Sequence, residues 1–271
     1  MRTTTAKLVG FGVWGIFGGL WLAPAQAQVE LLLNGGFEFG DFGGWTAFSQ
    51  VAPEATAAGL FVDDDTVVPG DPNGFPDDSP LSPVTFQPTA GPRSGRFYAV
   101  TDGDGAANNS LLQSFAVPDD AVQVTLSFSL FVNARDGAGA FNTGGLLDYS
   151  QAALTQFARV DLLTGSATPF SLGPGNVIQN FYLGVDPNIG PNPLYPIPYT
   201  TYTFDITGLV MPGDAYQIRF ADVGNRFVLN TGIDDVSIRA FNVAQAPEPG
   251  TLALIGFGVV ATASKLRRRR R

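Results

Sequence analysis

Acid side chains carry nearly all the chemistry this sequence offers. Its 271 residues include 24 Asp and Glu but no His and no Cys. That rules out a Ser-His-Asp triad, a histidine base, a thiol nucleophile, a disulfide framework and any His- or thiolate-ligated metal. Carboxylates can still work in two ways. Paired about 5–9 Å apart, they hydrolyse glycosides. Grouped with other oxygens, they hold calcium, which takes six to eight oxygen ligands. The acids do cluster, at Asp63-Asp64-Asp65, at Asp71 with Asp77 and Asp78, at Asp102-Gly103-Asp104-Gly105, and at Asp234-Asp235. The run from Asp71 has part of the spacing of an EF-hand loop, without the glutamate at the twelfth position or the flanking helices. Asp102-Gly103-Asp104-Gly105 suits a calcium loop or an ordinary turn, and the turn is the preferred reading. Asp63 to Asp65 reads as a solvated acidic patch. No motif singles out a catalytic pair, so no catalytic residue is assigned.

The elements that must position these groups are strands. Val122, Val124, Leu126, Phe128, Leu130 and Val132 alternate with Gln123, Thr125, Ser127 and Ser129. That is the period-two pattern of a strand with one buried face. Ala158, Val160 and Leu162 alternate with Arg159 and Asp161. Tyr202, Phe204 and Ile206 repeat the pattern, as do Tyr216, Ile218 and Phe220, and Val236, Ile238 and Ala240. Further strands are expected at 30–33, 45–51, 96–101, 111–117, 177–183 and 227–229. No stretch of the body shows a convincing helical period. Two long connections stand out. Pro53 to Pro92 carries eight prolines and seven acids, and Gly184 to Pro198 carries five prolines. The first is too long for an ordinary connection and is either functional or poorly ordered.

The two ends read as addresses. Arg2 and Lys7 precede an uncharged stretch from Leu8 to Leu22, and Ala25 and Ala27 stand at the −3 and −1 positions of a signal peptidase site. At the other end, Pro247-Glu248-Pro249 leads through Gly250 into an uncharged segment, Thr251 to Ser264, and then to Lys265 and Arg267 to Arg271. A helix over 251–264 is about 21 Å long, marginal against about 30 Å of hydrocarbon. Its basic cluster should stay cytoplasmic. The expected organisation is therefore a signal peptide at 1–27, one domain at 28–246 and a C-terminal signal at 247–271. The domain alone carries seven Arg, no Lys and 23 acids, a net charge of −16. Such a surface repels nucleic acid and suits a divalent cation.

The C-terminal triplet, short apolar segment and arginine cluster resemble the PEP-CTERM sorting signal of Gram-negative bacteria. The resemblance implies recognition by a membrane exosortase, cleavage near Pro247, Glu248 and Pro249, and delivery to the cell surface or extracellular matrix. The chain would touch the inner membrane only transiently, before processing. The body has its own resemblance. Asn34-Gly35-Gly36-Phe37-Glu38, followed by Gly40 to Thr46, opens it, and Gly232-Ile233-Asp234-Asp235-Val236-Ser237-Ile238 closes it. This pair resembles the start and end of carbohydrate-binding-module-like jelly rolls. By motif position it implies Glu38 and Asp235 as ligands of a structural calcium ion, with simple turn capping as the alternative.

The resulting expectation is an all-β protein, an antiparallel jelly-roll β-sandwich flanked by an N-terminal signal helix and a short C-terminal hydrophobic helix. It is expected to be a non-catalytic surface or matrix protein that binds polysaccharide. A purely structural, adhesive protein with calcium-dependent cohesion is the alternative, and a carboxylate glycoside hydrolase is a third. Phe131, Tyr149, Tyr182, Tyr195 and Tyr199 are the aromatic candidates for stacking on sugar rings. Trp45, the one Trp of the domain, is assigned to the core.

Overall fold

A computed structural model describes residues 28–64, 80–134, 146–184, 197–225 and 229–242. The signal residues Ala25 and Ala27, the triplet Pro247-Glu248-Pro249, both terminal helices, Tyr195 and the Asp71 run lie outside the described residues. The described residues form eleven strands: β1 (Gln28–Glu30), β2 (Thr46–Val51), β3 (Ala58–Asp64), β4 (Phe97–Gly103), β5 (Ala107–Ala116), β6 (Ala121–Ala134), β7 (Gln156–Thr164), β8 (Val177–Gly184), β9 (Thr200–Asp205), β10 (Ala215–Gly224) and β11 (Leu229–Asn242). The one helical turn described, Thr207–Leu209, is 3₁₀.

The strands form two antiparallel sheets. The first runs β3-β4-β11-β6-β9, with β1 also on β11, and the second runs β2-β5-β10-β7-β8. Within them, β4-β11-β6-β9 faces β5-β10-β7-β8, and the pairs β4/β5, β6/β7, β8/β9 and β10/β11 are each split between the sheets, while β7 and β8 are neighbours in one. That strand order is the double Greek key of a jelly roll. Both inner faces are apolar because the alternation puts them there. Val124, Leu126, Phe128, Leu130 and Val132 from β6 meet Leu111 and Phe115, Val160 and Leu162, and Ile218 and Phe220 from the second sheet. Trp45 is 6 % exposed and packs on Phe37 and Phe220, with ring centroids 5.6 and 6.0 Å away.

Part of the first sheet's outer face is also covered. Phe61, Val100, Gly232 and Phe131 stand in one cross-strand row. The Phe131 ring lies directly over Gly232, where a Cβ would sit 2.0 Å from it. An arm spanning residues 80–92 closes over this row. Asp102 pins the arm by accepting from the N–H groups of Val84 and Thr85, each at 2.8 Å, and from the Thr85 hydroxyl at 2.6 Å. The long Pro53–Pro92 segment therefore contains a strand, β3, and a packed arm.

β11 is one continuous strand rather than the two pieces expected at 227–229 and 236–240. A bulge between Asp234 and Ser237 adds one residue against Ser127–Ser129 of β6. Leu229 and Ile233 face the core before it, and Val236, Ile238 and Ala240 after it. The phase of the alternation slips at that point, which hides the strand from a period-two reading. The extra residue, Asp235, sits at φ +52°.

Asp63 departs from the solvated patch expected of it. It lies on β3 beside Tyr98, whose hydroxyl is 3.4 Å from its Oδ2. Burial pushes its carboxyl up to about 6. Burial likewise pushes Asp234 up to about 6, against the N–H groups of Ser94, Asp235 and Arg93 that favour its charge. A native carboxyl that binds its proton more tightly than the unfolded chain's, near 3.9, stabilises the fold when protonated. That stability is fully present below about pH 4 and is lost as pH rises through about 6. The urea midpoint should therefore be higher at pH 5 than at pH 7.5, and Asp63→Asn should flatten the difference. An unchanged pH slope in Asp63→Asn would remove Asp63 from this account.

Candidate functional site

The second sheet presents a cross-strand row on its outer face: Thr46, Leu112, Arg219, Asp161 and Asn180, one from each strand. Its two halves behave differently. On the β7–β8 side the row is sealed. Asp161 accepts from Arg159 Nε and Nη2 at 2.7 and 2.6 Å, from Arg219 Nε and Nη2 at 3.0 and 2.6 Å, and from Asn180 at 2.8 Å. Burial alone would raise this carboxyl. The hydrogen bonds from Arg159 and the charges of Arg219 and Arg159 outweigh it and hold Asp161 below the usual carboxylate range. Arg219 Nη1 then donates to the carbonyls of Pro169 and Ser171 at 2.9 and 2.8 Å. Ser110 Oγ donates to Pro169 as well, at 2.9 Å. The β7–β8 connection is thereby tied down across the sheet.

On the β2–β5–β10 side the row is open. The tied-down connection makes one wall of a groove of about 330 Å³, lined by Gly44, Thr46, Phe48, Leu112, Ser114, Ala167, Pro169 and Gln217. Gln217 Nε2 holds the wall by donating to Gly165 O at 2.8 Å. Phe48 is 40 % exposed, and Phe39, 67 % exposed, rests against Gly43 beside the groove. Hydroxyls and an amide thus alternate with apolar and aromatic surface, and no lining residue is charged. Sequence reasoning missed Thr46, Phe48, Ser114 and Gln217. Only the Thr-x-Phe alternation in β2 hinted at them.

The expected aromatic candidates lie elsewhere. Phe131, placed by alternation on a wet face, is 1 % exposed beneath the 80–92 arm and packs edge-on against Tyr199 at 4.9 Å. It offers no ring face to a sugar. Tyr199 is half-buried in the same cluster. Tyr149 is half-buried, with its hydroxyl 3.3 Å from Val51 O. Tyr182 is half-buried against Tyr202, 5.7 Å between centroids. None of these four lines the groove.

The opening and closing motifs meet at one turn. Glu38 accepts from the N–H groups of Arg96 and Phe97 at 3.0 and 3.1 Å. Asp234 accepts from Arg93 and Ser94 N–H at 2.7 and 3.1 Å, and Asp235 from the Ser94 hydroxyl at 2.6 Å. Glu38 and Asp235 therefore do converge on residues 93–97, and the partners they meet there are N–H and O–H donors. Among the described residues no group of three or more Asp or Glu could hold a metal ion. A cation at Glu38 and Asp235 would have to compete with these N–H and O–H donors for the carboxylates. Asp104, in the Asp-Gly-Asp-Gly run, likewise accepts from the N–H groups of Thr56 and Ala57, both at 3.0 Å, as a turn carboxylate does.

Beyond β11, residues 245–271 match one protein-family model. They are a PEP-CTERM protein-sorting motif. This sorting motif indicates export and sorting to the cell surface, and implies processing by an exosortase. No curated protein sequence matches the chain. Several solved structures are similar in strand arrangement. The carbohydrate-binding module TmCBM61, solved with β-1,4-galactotriose, is 11 % identical with a TM-score of 0.42, over 78 % of this chain and 97 % of that one. The Stig cyclase Fisc from Fischerella sp. TAU is 17 % identical with a TM-score of 0.43, over 80 % and 99 %. The enzymatically active domain of tailspike protein 4 of bacteriophage CBA120 is 13 % identical with a TM-score of 0.41, over 77 % of this chain. The chain spans only 21 % of that tailspike domain.

Proposed function

We propose that this chain is an exported, non-catalytic surface or matrix protein whose jelly roll binds polysaccharide along the groove beside β2, β5 and β10. One observation carries the reading: an uncharged groove of about 330 Å³ that combines the hydroxyls of Thr46 and Ser114 and the Gln217 amide with an exposed phenyl ring. A pyranose has the same dual character, hydroxyls around its rim and C–H faces above and below. Recognition sites for such ligands pair an apolar platform with a few convergent polar groups. The lining contains no carboxylate, whereas glycoside hydrolysis needs two. That supports binding without bond cleavage. Signal peptidase at Ala25–Ala27 and transient inner-membrane anchoring complete the export route in this reading, which ends at the cell surface or in the matrix.

Affinity electrophoresis in gels containing galactomannan, β-glucan or xylan tests the reading. At least one should retard the protein, and Phe48→Ala should weaken that retardation about tenfold, the equivalent of about 1.4 kcal/mol. If no polysaccharide retards the protein and calcium drives it to self-associate, the structural and adhesive alternative replaces this one. Calcium at Glu38 and Asp235 is tested separately. A rise in the urea midpoint on adding calcium, lost in Glu38→Gln, would mean that the ion displaces the N–H groups of the 93–97 turn.

A further inference from the structure

We propose a second glycan-binding groove on the opposite face of the sandwich, which makes a single copy of the chain divalent for polysaccharide. This rests on reading the groove of the second sheet as a polysaccharide site.

Past the bulge of β11, Ser237 and Arg239 lie level with Ser127 and Thr125 of β6, which pair in turn with Thr203 and Asp205 of β9. These side chains stand on the outer face, since Val236, Ile238 and Ala240 occupy the core. The result is a groove of about 480 Å³, floored by Ser127, Ser237 and Arg239 and walled by Asn34–Gly36 and Asp235. Its charged groups are held in place. Glu30 accepts from the Ile238 N–H at 2.9 Å and lies 3.4 Å from Arg239 Nε. The bulge turns Asp235 to the exposed side.

The chemistry suits a neutral polyhydroxylated chain. Serine hydroxyls both donate and accept, as sugar hydroxyls do. Glu30 is taken up by the Ile238 N–H, the Ser237 hydroxyl and Arg239, which leaves the Ser127 hydroxyl, the outer Arg239 nitrogens and Asp235 Oδ2 to meet neighbouring sugar hydroxyls. Two acids against one arginine leave the groove slightly negative on a domain of net charge −16, so a polyanionic chain is repelled. The two grooves lie on the outer faces of sheets stacked about 10 Å apart. They point away from each other, and two polysaccharide chains can occupy them at once.

The test is a bridging assay on the monomeric fraction of the protein. Galactomannan, β-glucan or xylan is immobilised on beads, protein is added, and the same polysaccharide labelled with fluorescein is offered in solution. The wild type should capture label. Phe48→Ala, Ser127→Tyr and Arg239→Ala should each lower capture at least tenfold while still binding the beads. Arg239 is more than half exposed, so Arg239→Ala keeps the test open if Ser127→Tyr fails to fold. Capture unchanged in both Ser127→Tyr and Arg239→Ala overturns the second groove. So does complete loss of bead binding in Phe48→Ala, an outcome that leaves the first groove standing alone. Failure of the wild type to bind any of the three polysaccharides removes the reading of the first groove, and this inference falls with it.

Discussion

Asp161→Asn should cost the domain about 3–5 kcal/mol of unfolding free energy. The substitution barely changes the volume, so the loss reports the missing charge together with the acceptor oxygen that becomes a donor amide. Asp161 is the shared anion of two guanidinium groups whose side chains are 9 % and 0 % exposed, Arg159 and Arg219. Removing that charge leaves two cations out of water without a partner, the most expensive way to break a buried ion cluster. Arg219→Met should cost less, because the Arg159–Asp161 pair survives. What it loses is the donor to Pro169 and Ser171; Pro169 keeps the Ser110 hydroxyl, so the cost is that of the Ser171 carbonyl, about 1–3 kcal/mol. Urea unfolding followed by Trp45 fluorescence reads both variants, since Trp45 is the only tryptophan between residues 28 and 246 and sits in the core. A loss below about 1 kcal/mol in Asp161→Asn, the range of exposed pairs, would show that the cluster is hydrated. The cluster's own pH dependence runs opposite to that of Asp63. Its folded pKa is lowered, so its contribution is present above the unfolded value near 3.9 and is lost as pH falls below it.

Gly35→Ala should be at least as damaging, and Gly36→Ala nearly silent. A Cβ on Gly35 falls 1.8 Å from the backbone oxygen of Val236. That oxygen belongs to β11, and the same residue's N–H donates to Gly35 O at 2.9 Å, so neither the strand nor the turn can give way without losing the bond. Overpacking of this kind costs about 3 kcal/mol or more when the obstructing atom is backbone. At Gly36 the nearest atoms to a new Cβ are the side chains of Asp234 and Glu38, at 3.7 and 3.8 Å, which is ordinary contact. The pair therefore separates close approach from backbone freedom. Neither glycine has positive φ. The left-handed residues of this motif are Asn34 and Phe37, at +51° and +58°. Equal midpoints for Gly35→Ala and Gly36→Ala would contradict the packing described here.

The jelly roll was legible wherever one strand had one buried face. β6, β9 and β10 follow their alternation, and the glycine-rich opening and the closing Asp pair marked the two ends of the domain. β3 was hidden because Ala58 to Asp64 is short, lies in a proline-rich stretch and ends in two acids that read as solvent-facing. Only contacts 35 residues away, with Tyr98, bury Asp63. The same blindness affects Arg159 and Asp161. Their alternation placed them on a wet face, which is the right face of the strand, but the β7–β8 connection lies over it. Phe131 was misjudged for the same reason, by an arm that no local pattern reveals. The groove lies on three strands, β2, β5 and β10, that are distant in sequence. Its residues gather through register, which is set by the whole sheet and not by any window of it.

The place of β11 has a mechanical consequence. The sorting motif begins just after this strand, which ends at Asn242 in the middle of its sheet, with β6 along one side and β4 and β1 along the other. Tension applied through the C-terminal end would therefore enter a strand paired with β6 from Leu229 to Asn242 and held on its other flank by β4 at Gly232 and Ile233 and by β1 at Arg239 to Phe241. A strand held that way cannot be peeled from an edge. It has to slide past two neighbours at once, a geometry that resists pulling far better than the domain's modest size suggests.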